Sequence, residues 1–171
     1  MLAVFGKAVA GKPHLPRKVT LYPAHSLVLA SQCAHLPESP SPITPPEEGA
    51  QKLNVPVWPL CLPSPLTYPH LSTYLYSKRL DIFVRSVLPR PPPPTYLQNP
   101  SQVSGFPREL AETFTVQTLI KHVFMIYGVW QNVCALGIFD DNLWETLDIL
   151  WELLLTSIAI GTGNLSAMTT A

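Results

Sequence analysis

Cysteine is scarce in this chain: Cys33, Cys61 and Cys134 are the only three in 171 residues. An odd number at wide spacing excludes a disulfide framework and points to a reducing compartment. Charge is scarce too, at 13% of residues, and cations almost vanish after Arg108, where Lys121 stands alone. Proline is wholly absent from 108–171. No apolar run of signal-peptide length opens the chain, because 2–5 is cut short by Gly6 and Lys7. Secretion is therefore disfavoured. The first 37 residues are basic and acid-free, as in organelle transit peptides, but Pro13 and Pro16 break the amphipathic helix that a mitochondrial address needs.

The stretch before 108 reverses each of these shortages. All 20 prolines lie between Pro13 and Pro107. Residues 1–108 carry 10 Lys and Arg against 4 Asp and Glu, whereas 109–171 carry 1 against 7. The neutral total hides two oppositely charged regions. Each proline removes an amide donor and disfavours helix at the residue before it. Only 1–12, 24–36 and 70–88 are proline-free runs of useful length within 1–107. The composition predicts a largely irregular or disordered interaction region over 1–107, with one short helix at 74–88. In that helix Tyr76, Leu80, Phe83, Val84 and Val87 share a face.

The proline-free remainder predicts a small all-α C-terminal unit over 108–163, followed by a flexible 164–171. Apolar residues recur at spacings of three and four: Val116, Leu119, Val123, Ile126, Trp130 and Val133, then Trp144, Leu147, Trp151, Leu154 and Ile158. Helices are expected at about 108–136 and 142–160, as a helical hairpin or one interrupted long helix. Asp140, Asp141 or Asn142 is expected to cap the second helix, Asn142 with Glu145 resembling a capping box, and Gly161 and Gly163 close it. The packing interface is expected at Val123, Ile126, Trp130, Trp144, Leu147, Trp151 and Leu154. Two helices cannot cover three tryptophans between them, so self-association or a helical partner is expected. Asp141, Glu145, Asp148 and Glu152 form an acidic stripe placed opposite this seam.

Short motifs supply the remaining candidates. Pro93, Pro94 and Tyr96 lie in a polyproline run resembling the PPxY ligands of WW domains, with SH3-type domains as alternative partners. Tyr68, Pro69 and Leu71 resemble YPxL peptides, which with PPxY serve as late-budding signals in viral structural proteins. Catalytic and metal signals are missing. The five histidines have no ligand spacing, the tail acids form a helix face and not a convergent pair, and no cofactor motif occurs. Nucleic acid is disfavoured, because the cations are dispersed. Membrane insertion of 116–161 as a hairpin is an alternative, opposed by Glu145, Asp148 and Glu152. The expectation is a non-enzymatic interaction or adaptor protein, cytoplasmic or membrane-associated. Further alternatives are a membrane-associated accessory protein and a recently arisen or overlapping-frame product.

Overall fold

The computed structural model describes residues 1–7, 18–38, 55–93, 95–97 and 105–164. Among these the chain is mostly helical with a small sheet. The elements are β1 (Leu2–Gly6), β2 (Thr20–Tyr22), α1 (Ser26–Ala30), β3 (Trp58–Leu62), α2 (Tyr68–Ser77), α3 (Leu80–Val87), α4 (Phe106–Thr113), α5 (Val116–Leu136) and α6 (Asp141–Thr162). They fall into two compact units. One comprises Met1–Leu66 with Gln131–Phe139, the other Thr67–Trp130 with Asp140–Ala171.

The first unit corrects the expectation that the proline-rich stretch builds no core. Its sheet runs β2-β1-β3, with β1 antiparallel to β2 and parallel to β3. Leu2, Ala3 and Val4 of the central strand are all buried, as a strand covered on both faces requires. On β3, Trp58, Leu60 and Leu62 are buried while Pro59 and Cys61 are exposed, a period of two. Pro59 is tolerated because β3 is an edge strand of this sheet. The Trp58 amide donates to the Met1 carbonyl at 2.8 Å, so the amide that Pro59 lacks is one that points away from β1.

The last turns of α5 complete this unit. Asn132 is 0% exposed and grips the chain leaving β3 with both ends of its amide. Its Oδ1 accepts from the Ser64 amide at 3.0 Å, and its Nδ2 donates to the Ser64 carbonyl at 2.7 Å. Gly137, at φ 62°, ends α5. The Ile138 amide reaches back to the Val133 carbonyl and the Gly137 amide to that of Cys134, both at 3.1 Å, which is a Schellman closure. The Gly137 and Leu136 carbonyls then accept from the Ala34 and His35 amides. A Cβ at Gly137 would lie 2.8 Å from the His35 ring, so glycine is required there for space as well as for φ.

The second unit also uses prolines where they do least harm. Pro69 and Pro107 sit in the first turns of α2 and α4, where an amide has no intrahelical partner. The single helix expected at 74–88 is two. Lys78, at φ 54°, ends α2, and Arg79 restarts the chain in extended geometry. The single helix expected over 108–136 is likewise two, parted at Phe114, whose backbone is extended. The Thr115 hydroxyl then accepts from the Thr118 amide at 3.3 Å and starts α5. Tyr68, Leu71, Tyr74, Leu75, Phe83, Val84 and Val87 bury the inner faces of α2 and α3. His122 Nδ1 donates to the Val87 carbonyl at 2.7 Å and ties α5 to the end of α3.

Helix α6 is capped by Asp140, the first of the three candidates, and not by Asn142 of the capping-box resemblance. One carboxylate oxygen accepts from the Leu143 amide at 3.4 Å. The other accepts from the Tyr74 hydroxyl and from Lys78 Nζ, each at 2.8 Å. Burial alone would raise the Asp140 carboxyl, but the bonds from Lys78 and Tyr74 outweigh it and hold the group below its ordinary value. A depressed folded-state value means this contribution is whole above the unfolded pKa of about 3.9 and is lost as pH falls through the lowered value. Asp140→Asn is therefore expected to lessen the loss of stability between roughly pH 5 and pH 2. Urea midpoints across that window check this, and an unchanged slope refutes it.

Candidate functional site

Within the second unit, α5 up to Trp130 runs antiparallel to α6, since Tyr127 faces Trp151 while Trp130 faces Trp144. The side chains that seal the interior overlap only in part with those expected. Leu119, Ile126 and Val129 of α5 are buried, with Leu143, Leu147, Leu150, Leu153 and Leu154 of α6. The α6 seam runs 143, 147, 150, 154, one residue round from the tryptophan register of 144 and 151. Leucine fills the interior. The wider indoles are turned onto the flank, Trp130 remaining 42% and Trp151 37% exposed.

The displaced rings make a groove of about 250 Å³ lined by Ile126, Tyr127, Trp130, Leu147, Asp148 and Trp151. Its three aromatics and the adjoining Trp144 form a continuous series. Trp144 meets Trp130 edge-on, with centroids 6.4 Å apart at 86°. Trp130 stacks with Tyr127 at 6.1 Å and 14°. Tyr127 meets Trp151 at 6.4 Å and 45°. Ile126 and Leu147 are buried beneath, and Asp148 is the one charged group in the lining. Exposed Ile120 and Phe124 on α5 and Leu155 on α6 extend the apolar character of the two helices.

Of the expected interface residues, Ile126, Leu147 and Leu154 are buried, Val123 and Trp144 are half-buried, and Trp130 and Trp151 stand exposed. Tyr127 and Asp148 were absent from that expectation. Their spacing carried the signal: Tyr127 lies three residues before Trp130, and Asp148 lies between Trp144 and Trp151 on one helical face. The acidic stripe expected opposite the apolar seam thus contributes one member to the apolar groove.

The short-motif residues occupy other surroundings. Tyr96, expected to project as a ligand, is buried with its ring against Phe106 at 5.3 Å. The Tyr96 amide donates to the Pro93 carbonyl at 2.9 Å, which folds the run into a turn, and Pro93 is half-buried. Pro94 lies outside the described residues. Burial, with the Glu152 charge, pushes the Tyr96 phenol above its ordinary value. Tyr68 and Leu71 are core residues at the start of α2, with only Pro69 exposed between them. A peptide-binding groove cannot reach these anchors while the helix is folded.

Among the described residues no cluster of three or more His, Cys, Asp or Glu is placed to hold a metal ion. Among them, too, no helix is long and apolar enough to cross a membrane.

Fold and groove together define a mostly helical chain with a small sheet and an exposed aromatic cleft. A family model described as the Clampless protein 1 C-terminal domain matches residues 81–171, and one for the N-terminal domain matches 1–63. The chain belongs to the Clampless protein 1 family. Clampless protein 1 of Cryptococcus neoformans var. neoformans serotype D is 31% identical over 133 residues in strain JEC21, and the same holds for strain B-3501A. That alignment covers 77% of this chain and 25% of the relative, so the chain spans about a quarter of the length of the curated relatives it matches. No solved structure matches.

Proposed function

We propose that this chain is a non-catalytic interaction protein whose partner binds along the α5–α6 groove. The observation that carries this reading is the placement of Tyr127, Trp130 and Trp151. All three are large, rigid and substantially exposed, and all line one concave surface. Aromatic side chains of this kind dominate binding energy at protein interfaces, because they bury much area for few frozen rotamers. Leaving them in water serves no folding purpose, since leucines already close the interior beside them. The interaction role expected from composition is kept. Its centre moves from the proline run to the groove, because Tyr68, Leu71 and Tyr96 are committed to the core.

Replacing Trp130 and Trp151 together by alanine tests it. Expressed at native level in its own cells, the parent chain is expected to elute on gel filtration in a complex larger than its own 18.9 kDa. The double variant is expected at the monomer position and still folded by circular dichroism, with a stability loss of about 2–4 kcal/mol for two indoles that are more than half buried and lose their ring contacts. Elution of both forms at the same position overturns the proposal.

A further inference from the structure

Asp148 is an unexpected member of an aromatic groove. A carboxylate beside three aromatic rings gains nothing from their negative faces. Among the described residues it forms no ion pair. No Lys or Arg occurs after Lys121, so α6 cannot supply a cation of its own. Glu145 and Glu152 lie three residues before and four after Asp148 on the same helix, all three exposed, and deepen the negative potential there.

We infer that the groove takes a cationic side chain, an arginine or a lysine flanked by aliphatic residues, from a different protein. This rests on the reading of the groove as the partner site, and specifies what fills it. The ring faces of Tyr127, Trp130 and Trp151 attract a cation through their quadrupoles, and Asp148 supplies the counter-charge. Ile126 and Leu147 beneath would cover the methylene stem, which a long basic side chain buries while its head stays charged. An anionic ligand would meet Asp148, Glu145 and Glu152 together. A second copy docking the same α5–α6 face fits poorly as well, because beyond Lys121 that face has no cation to insert.

The test is a titration of the full chain, followed through the indole N–H signals of its four tryptophans in a two-dimensional proton–nitrogen spectrum. The probes are the peptide acetyl-Ala-Leu-Arg-Leu-Ala-amide, its lysine counterpart, and a version with citrulline, the neutral isostere of arginine. Trp130→Phe and Trp151→Phe assign the two relevant signals, and Trp58, buried in the other unit, is the reference that stays still. Saturable shifts of the Trp130 and Trp151 signals are expected with a cationic peptide. The citrulline peptide should bind at least about fivefold more weakly, the factor that cation–ring attraction with a nearby carboxylate commonly supplies. Asp148→Asn should weaken the cationic peptide about three- to tenfold and leave the citrulline peptide unchanged. Whether the arginine or the lysine peptide binds more tightly decides between guanidinium and ammonium. Equal binding of arginine and citrulline peptides, or indifference to Asp148→Asn, overturns the cation and leaves the apolar groove standing. Failure of every peptide to move the two signals overturns the groove itself.

Discussion

Phe83→Ala is expected to destabilise the chain by about 3–5 kcal/mol, the cost of removing a fully enclosed phenylalanine and leaving a cavity behind. Phe83 is 0% exposed on α3, and its ring lies 5.9 Å from that of Tyr74 on α2. Those two helices pack closely, and Val84 and Val87 continue the same buried face, so little can collapse into the space. The residue sits inside the proline-rich stretch whose composition argued against any core. The size of the loss therefore measures whether 68–88 is structured in solution. Phe124→Ala is the control, since Phe124 is 68% exposed and its removal should change stability by less than about 0.5 kcal/mol. Urea unfolding followed by circular dichroism gives both numbers. A loss under about 1 kcal/mol at Phe83 would mean that the α2–α3 pair is not formed.

The second large effect is expected at Asn132. Its amide both donates to and accepts from the backbone of Ser64, from a side chain that is fully buried against a half-buried turn. Asn132→Ala removes both partners at once and strands an amide and a carbonyl, each costing about 1–3 kcal/mol when unsatisfied. Water entering the vacated space would recover part of this, so a net loss of about 2–4 kcal/mol is expected. Asn132→Asp discriminates the mechanism. A carboxylate can accept from the Ser64 amide but cannot donate to its carbonyl, and it brings a buried charge, so it should do no better than alanine. Amide hydrogen exchange at Ser64 gives the local reading: its protection should fall sharply in either variant, and retained protection would show that the side chain does not hold this turn.

How much of this was legible depends on which physical signal each element leaves in the sequence. Helices α5 and α6 leave a strong one, a three-four apolar rhythm uninterrupted by proline; of the two glycines expected to close α6, Gly161 lies inside the helix and Gly163 is the cap. What the rhythm could not tell was which of two adjacent registers faces inward. Leu143 and Trp144, and Leu150 and Trp151, are neighbours of similar hydrophobicity, so 143-147-150-154 and 144-147-151-154 fit the same period. The choice is steric. It places the indoles on the flank, and so it also creates the groove.

The choice among three capping candidates was open for a related reason. Asp140, Asp141 and Asn142 are all good caps by type, and contacts from Tyr74 and Lys78, more than 60 residues earlier, select the first of them. The sheet left the least trace. Its strands are three to five residues long, and β1 pairs in parallel with a segment whose residues lie 56 positions further on. Local propensity carries no information about a partner so distant. Composition also misled, because counting prolines ignores where each one falls. At an edge strand or in the first turn of a helix a proline deletes a donor that had no partner there.

The split membership of the first unit has a consequence for how the chain is made. Its sheet lies within the first 62 residues, but the segment that pins Ser64 and closes against Ala34 and His35 is drawn from Gln131–Phe139. A nascent chain leaves the ribosome from the amino end at about 5–20 residues per second. The strands would therefore wait several seconds, β3 exposed along one edge, for the turns that complete them. Over that interval the unfinished sheet is a substrate for chaperones or for unwanted pairing with another chain. A stop codon between 67 and 131 should accordingly yield insoluble product, even though every strand would be present.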